Sequence, residues 1–113
     1  MGVDLALVPK NDPPIGVWFL AYERIDLDRQ NSLFAAVRKV KQHDLPSTTR
    51  FEWYSDSGLE VRTTDQYNEP LKYIFAGDLA AVKLPKDTTQ KNKAVWAFLR
   101  GLDPATPIVL WWH

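Results

Sequence analysis

Three carboxylates stand close together in the stretch "YERIDLDR" (22–29), and theirs is the first chemistry that the sequence suggests. Glu23, Asp26 and Asp28 could supply the oxygen ligands that Mg²⁺ prefers. A lone Asp-x-Asp pair is a weak motif, however, and either aspartate can cap the helix that is predicted to follow. We therefore expect helix capping and no metal or cofactor site. A small metal-dependent, nuclease-like enzyme that uses these three residues remains an alternative.

The two histidines are the other candidates for catalysis. His43 precedes Asp44, which could orient it as a general base, but no nucleophile or second acid is spaced to join them. His113 could bind a metal or titrate near neutral pH, and we expect it instead to be the polar tip of a strand. The chain lacks cysteine, a glycine-rich phosphate loop, a paired-histidine zinc motif and a nucleophile elbow. The sequence thus predicts no catalytic residues and leans toward a protein that is not an enzyme.

Charge is segregated along the chain although its sum is zero. Acidic residues dominate 51–78, and basic residues dominate 79–100. The bases of the second region are Lys83, Lys86, Lys91, Lys93 and Arg100. Such a cluster near a helix start could bind phosphate, and a nucleic-acid binder acting through 83–100 is a second alternative. No aromatic stacking platform accompanies the bases, so we favour a solvated face and do not expect nucleic acid as a partner.

Aromatic residues are the more unusual feature, because the chain has five tryptophans and ends in "PIVLWWH" (107–113). Trp111 and Trp112 must point to opposite faces of their strand, since side chains alternate. Either the sheet is covered on both faces, or one face presents an aromatic patch suited to a protein partner. Trp96 lies at the edge of a helical stripe, either half exposed and stacked by a cation or packed at the core margin. The candidate protein-binding residues are Trp18, Leu20, Tyr22, Trp96, Trp111, Trp112 and His113.

Short apolar runs bounded by turn formers predict the strands. We expect strands at 3–8 and 15–22, the second antiparallel to the first, an extended segment at 71–75 and a terminal strand at 107–113. The last strand is apolar or aromatic on both faces, which indicates an inner position in the sheet.

A hairpin is predicted around "RFEWYSDSGLEVRT" (50–63). Matching the apolar faces of its two strands requires an odd loop length. A three-residue loop, 56–58, with Gly58 at positive φ, places Trp53 opposite Val61.

The first helix is predicted from Asp26 or Asp28 to about Gln42. Its apolar stripe has the 3–4-residue spacing of a helix that is buried on one side. The stripe consists of Leu33, Phe34, Val37 and Val40.

Two further helices are predicted in the second half of the chain. A short one is capped by Asp78 and stopped at Pro85. A longer one starts at Asp87, with Gln90 as its capping-box partner, and ends at Gly101. Its predicted buried stripe is Val95, Phe98, Leu99 and Leu102.

The element order β-β-α-β-β-α-α-β predicts a single α+β domain over residues 1–113. We expect a mixed or mostly antiparallel sheet of about five strands, two main helices and one short helix. The start of the chain has no signal-peptide pattern, and the longest apolar run, 15–22, is shorter than the roughly 20 residues of a membrane helix. We therefore expect a cytoplasmic protein with no membrane contact.

Three segments, "MGVDLALVP", "YNEPLKYIFAGDL" and "IVLWWH", resemble small uncharacterised proteins of bacteriophage and prophage. The resemblance brings no activity, cofactor or catalytic residue with it. It implies a phage-type accessory protein in the cytoplasm of the host cell. We accordingly expect a non-enzymatic interaction module that binds another protein, either a host or defence protein that it inhibits or a second copy in a homodimer.

Overall fold

A computed structural model describes most of the chain: residues 3–9, 17–19, 25–45, 50–55, 58–62 and 64–113. The helices in these ranges are α1 (Asn31–Lys39), α2 (Ala76–Ala80) and α3 (Gln90–Arg100). The strands are β1 (Leu5–Pro9), β2 (Val17–Phe19), β3 (Ile25–Asp26), β4 (His43–Asp44), β5 (Arg50–Ser55), β6 (Gly58–Arg62), β7 (Lys72–Phe75) and β8 (Pro107–Trp112).

Five strands form an antiparallel sheet in the order β3-β1-β8-β7-β4, which places β8 at its centre. Leu7 lies opposite Leu110 on the β1 side, and Ile74 lies opposite Ile108 on the β7 side. The predicted inner position of the last strand and the α+β class are both confirmed. An inner strand is hydrogen-bonded on both sides, and its apolar side chains can then be buried on both faces.

All three helices pack on one face of this sheet. Leu5, Leu7, Ile108 and Leu110 of the sheet share one buried cluster with residues of the three helices. The helical members are Leu33, Phe34, Val37, Ala76, Leu79, Val95, Trp96 and Leu99. The stripe predicted for α1 is confirmed, with Val40 partly buried at its end.

The opposite face of the sheet is also closed. Ala6, Val8 and Val109 have no exposed surface, and Trp111 is 3% exposed. Leu71 belongs to this second cluster, and Leu45 and Tyr73 pack against it. Of the two arrangements that the sequence left open, burial on both faces of β8 is the one observed.

The second predicted strand lies in a different sheet from the one expected. β2 pairs in parallel with β5, in a three-stranded sheet of order β2-β5-β6, so its predicted antiparallel pairing with the first strand is wrong. The order of strands in space depends on contacts between distant segments, and a local apolar pattern does not contain that information.

The hairpin of β5 and β6 has a different register from the predicted one. Ser55 pairs with Gly58, which leaves two residues between the strands, and Trp53 lies opposite Glu60 rather than Val61. The turn length fixes the register of a hairpin, and two-residue connections are the commonest. The predicted positive φ of Gly58 is confirmed at 109°.

The first helix starts later and ends earlier than predicted. Asp26 belongs to β3, and α1 begins at Asn31 and ends at Lys39. The later start is explained by a contact with α3. The side-chain amide of Asn92 forms hydrogen bonds with both the N–H and the carbonyl of Asp28, which holds that residue outside the helix.

The other two helices differ from prediction at their starts, and α2 also ends at Ala80 rather than running to Pro85. Phe75 is the N-cap of α2, with Asp78 in its first turn, and Thr89 is the N-cap of α3, where its hydroxyl accepts from the Asn92 N–H. The side chain of Asp87 instead accepts hydrogen bonds from α1 and the loop before it. The predicted end of α3 at Gly101 is confirmed.

The buried stripe of α3 is rotated from the predicted one. Phe98 is 45% exposed, whereas Trp96 is fully buried and donates its indole N–H to the Leu79 carbonyl at 3.1 Å. Packing against α2 orients α3 so that Trp96, rather than Phe98, faces the core. In the described part of the chain, no helix is long and apolar enough to cross a membrane.

Candidate binding cleft

An open cleft of about 550 Å³ lies on the helix-covered face of the sheet, next to the end of β8. It is lined by Leu110 and Trp112 of the sheet, by Arg38 of α1, and by Asp65, Tyr67, Glu69, Pro70 and Lys72. We call it the Trp112 cleft. Clefts of this size are the usual sites of ligand and side-chain binding in proteins.

Trp112 is held in a fixed position by two contacts on α1. The Phe34 ring meets it edge to face, with centroids 5.8 Å apart and planes at 83°. The Arg38 guanidinium carbon lies 4.3 Å from the centroid of the Trp112 ring, which is a cation–π distance. Trp112 is half-buried, so part of its surface remains open to the cleft.

A tight turn at 65–69 contributes Asp65, Tyr67 and Glu69 to the lining of the cleft. The Asp65 carboxylate accepts through Oδ1 from the Tyr67 N–H at 2.8 Å and from the Glu69 N–H at 3.1 Å. Asn68 takes a left-handed φ of 63°, which asparagine tolerates better than most residues. The N–H of Gln66 donates to the Trp112 carbonyl at 3.1 Å and so fastens the turn to the end of β8.

Charges of both signs line the cleft. Asp65 is 4% exposed, and its Oδ2 has no hydrogen-bond partner among the described residues. Glu69 and Arg38 are exposed and make no ion pair within the described part of the chain. The ammonium of Lys72 bonds to the Asp44 carboxylate, which lowers the pKa of that exposed carboxyl group.

The structure separates the tryptophans that the sequence grouped together as partner-binding residues. Trp112 opens into the cleft, whereas Trp111 is buried on the opposite face of the sheet. Trp96 is fully buried in the core rather than half exposed or at the core margin, the two positions left open for it, so this residue has no surface to offer a partner. The cation stack considered for Trp96 is found at Trp112. The side chains of Trp18, Leu20 and Tyr22 lie outside the described residues.

His113 is fixed by the neighbouring strand rather than by the cleft. Its carbonyl accepts from the Asp4 N–H at 2.7 Å, and its N–H donates to the Asp4 carbonyl at 2.9 Å. Its Nε2 lies 3.5 Å from a carboxylate oxygen of Asp26, and the side chain is 27% exposed. The predicted position at the polar tip of the strand is confirmed.

The predicted carboxylate cluster is divided between different contacts. Asp28 accepts from the Thr89 hydroxyl at 2.7 Å and lies 4.0 Å from the Lys91 ammonium, which links it to the start of α3. Asp26 faces His113. Glu23 lies outside the described residues, and within them no group of three His, Asp or Glu side chains could hold a metal ion.

His43 belongs to the edge strand β4. Its ring stacks on Tyr73, with centroids 5.2 Å apart and planes at 25°, and meets Phe75 at 5.0 Å. The cross-strand pairing of His43 with Tyr73 brings the rings together. The lysines and the arginine at 83–100 are all exposed, as the sequence predicted for a solvated face.

Sequence reasoning missed the residues that form the cleft. Arg38 and Trp112 are far in the sequence from the turn that contains Asp65 and Tyr67, and these residues meet only through the fold. The stretch "DQYNE" (65–69) did contain a signal, because aspartate and asparagine at this spacing are typical of a turn closed by a side chain. Comparisons with protein-family models, curated proteins and solved structures found no match to this chain.

Proposed function

We propose that this chain is a non-enzymatic protein-interaction module and that its contact site is the Trp112 cleft. The observation that carries the proposal is the accessible group of Trp112, Arg38 and Tyr67 around one concave site. Tryptophan, tyrosine and arginine are the residues that most often dominate binding energy at protein interfaces. A concave site of this size fits a short segment of side chains from a partner.

The wider role that we propose is that of a phage-type accessory protein in the host cytoplasm, which inhibits a host or defence protein by covering part of its surface. The support for this role is the resemblance of the three sequence segments to phage and prophage proteins. The partner in this proposal is another protein, and a homodimer is a competing outcome of the test below.

Site-specific photo-crosslinking tests the position of the contact. Tyr67 and Phe98 are 48% and 45% exposed, and only Tyr67 lines the cleft. Each is replaced in turn by p-benzoylphenylalanine, and the protein is irradiated in cells that naturally contain it. We expect one discrete crosslinked product from position 67 and none of the same mass from position 98.

Two variants of α1 provide the matched control. Arg38→Ala removes the cation that lies over Trp112, and Lys39→Ala removes the neighbouring exposed cation, which does not line the cleft. The product should be lost with Arg38→Ala and retained with Lys39→Ala. An identical product from position 98, or one that is insensitive to Arg38→Ala, would overturn the proposal. A product of twice the chain mass would identify the partner as a second copy.

A further inference from the structure

We infer that the Trp112 cleft takes a cationic side chain, an arginine or a lysine, with the carboxylate of Asp65 as its counter-ion. The inference rests on the proposed function only in attributing this side chain to a partner protein. The charge that the cleft selects can be tested without knowing the partner.

The unpartnered oxygen of Asp65 is the first argument. Asp65 is only 4% exposed. Its Oδ1 already accepts two hydrogen bonds from the turn, whereas its Oδ2 accepts none from the described residues. A buried carboxylate oxygen without a donor is costly, and a charged donor satisfies it better than a neutral one. Asp65 is one of the residues that line the cleft.

The balance of charge in the cleft is the second argument. Lys72 is already paired with Asp44, so the charges that remain are Arg38 against Asp65 and Glu69. Their sum is one negative charge. One monovalent cation therefore neutralises the cleft, whereas an anion would leave it with two uncompensated charges.

The apolar lining is the third argument. Trp112 and Leu110 of β8, together with the exposed Tyr67 and Pro70, give the cleft an apolar and aromatic lining, which suits the methylene stem of a long basic side chain. Arg38 shows that a guanidinium group already rests on the Trp112 ring at 4.3 Å. Because that position on the ring is occupied by a like charge, the incoming cation is held by Asp65 and Glu69, and its methylene stem packs on the apolar and aromatic lining.

Titration with small probes, followed by amide and indole NMR shifts, tests the inference. The probes are N-acetylarginine amide, its neutral isostere N-acetylcitrulline amide, and N-acetylglutamate amide. We expect the arginine probe to shift the signals of residues 65–69 and the Trp112 indole. Citrulline should bind at least about tenfold more weakly, since a hydrogen bond to a charged group contributes about 1.5–3 kcal/mol and 1.4 kcal/mol is tenfold.

Asp65→Asn is the decisive variant, because its amide oxygen can still accept from the Tyr67 and Glu69 N–H groups while the charge is removed. Binding of the arginine probe should fall by about tenfold or more. Asp78→Asn, on the exposed side of α2, should leave it unchanged. If Asp65→Asn alters the turn, Glu69→Gln takes its place and should also weaken the arginine probe.

The inference would be overturned by equal binding of the arginine and citrulline probes, or by undiminished binding of the arginine probe to a folded Asp65→Asn variant. Tighter binding of the glutamate probe would also overturn it, because Arg38 would then be the residue that binds the ligand. If position 67 crosslinks to a partner but the arginine probe causes no shifts, the inference of a cationic ligand is wrong and the proposed function is still supported.

Discussion

The side-chain amide of Asn92 binds the backbone of Asp28 at both of its polar groups. Its Oδ1 accepts from the Asp28 N–H at 2.9 Å, and its Nδ2 donates to the Asp28 carbonyl at 3.1 Å. Nδ2 also donates to the side-chain oxygen of Gln30 at 3.1 Å, and Asn92 has no exposed surface. One residue of α3 therefore completes the hydrogen bonding of the segment between β3 and α1.

Replacing Asn92 should be among the most destabilising changes of a polar residue in this chain. Asn92→Leu keeps a similar volume but leaves the two part-buried backbone groups of Asp28 and the side-chain oxygen of Gln30 without this partner, at up to about 1–3 kcal/mol for each group. We expect urea unfolding to show a total loss of about 3 kcal/mol or more. Lys93→Ala, at the exposed neighbouring position, should change stability by less than about 0.5 kcal/mol. A loss below about 1 kcal/mol for Asn92→Leu would mean that water replaces the amide.

Gly77 should not tolerate even one added methyl group. A Cβ at this position would lie 2.8 Å from the Pro104 Cβ, because the Gly77 N–H donates to the Pro104 carbonyl at 3.0 Å. We expect Gly77→Ala to lower the free energy of unfolding by about 1–3 kcal/mol. Gly101→Ala is the control, since its φ is −83° and its nearest contact would be 3.4 Å. A thermal melt that shifts equally for both variants would contradict this prediction.

Substitution of Trp96 should destabilise the protein more than substitution of Phe98, which is the reverse of what the predicted stripe implies. Trp96→Phe leaves a cavity and removes the hydrogen bond to Leu79, so we expect a loss of about 2 kcal/mol or more. Phe98→Ala removes a ring that is 45% exposed and should lose less than about 1 kcal/mol. Chemical denaturation of both variants tests which side of α3 is buried. A larger loss of stability for Phe98→Ala than for Trp96→Phe would support the stripe predicted from the sequence.

The pairing of Asp4 with Arg29 should weaken in acid. Arg29 donates from Nη2 to one carboxylate oxygen at 2.7 Å and from Nε to the other at 3.0 Å, and these bonds lower the pKa of Asp4. A lowered pKa in the folded state gives stability that is present above the unfolded pKa of about 3.9 and is lost as the pH falls through the folded pKa. The effect should be small because the pair is exposed.

Unfolding midpoints of the natural chain and Arg29→Gln, measured against pH, check this prediction. The two curves should differ at neutral pH and converge at acidic pH as Asp4 is protonated. In an Asp4→Asn background, Arg29→Gln should have the same effect at every pH. A gap that persists unchanged into strong acid would show that Arg29 acts through packing.

Local patterns were sufficient to predict the elements that depend on near neighbours in the sequence. The apolar stripe of α1, the extended segment that became β7 and the end of α3 at Gly101 all follow from spacing and turn chemistry. The apolar residues on both faces of β8 likewise indicated its central position.

Contacts across long sequence separations decided the features that the sequence did not predict. The start of α1 depends on Asn92, which is 64 residues from Asp28. The rotation of α3 depends on the hydrogen bond from Trp96 to α2. The Trp112 cleft requires α1, the turn at 65–69 and β8 to assemble before its residues meet, and no spacing rule connects Arg38 to Asp65.

The central position of β8 also determines the order in which the protein can be made on the ribosome. β1 and β7 are both synthesised before β8, yet in the sheet each of them pairs with β8. Until residues 107–112 leave the exit tunnel, both earlier strands have an edge without its partner, and such edges are prone to pair with other chains. Completion of the five-stranded sheet must therefore follow translation of β8.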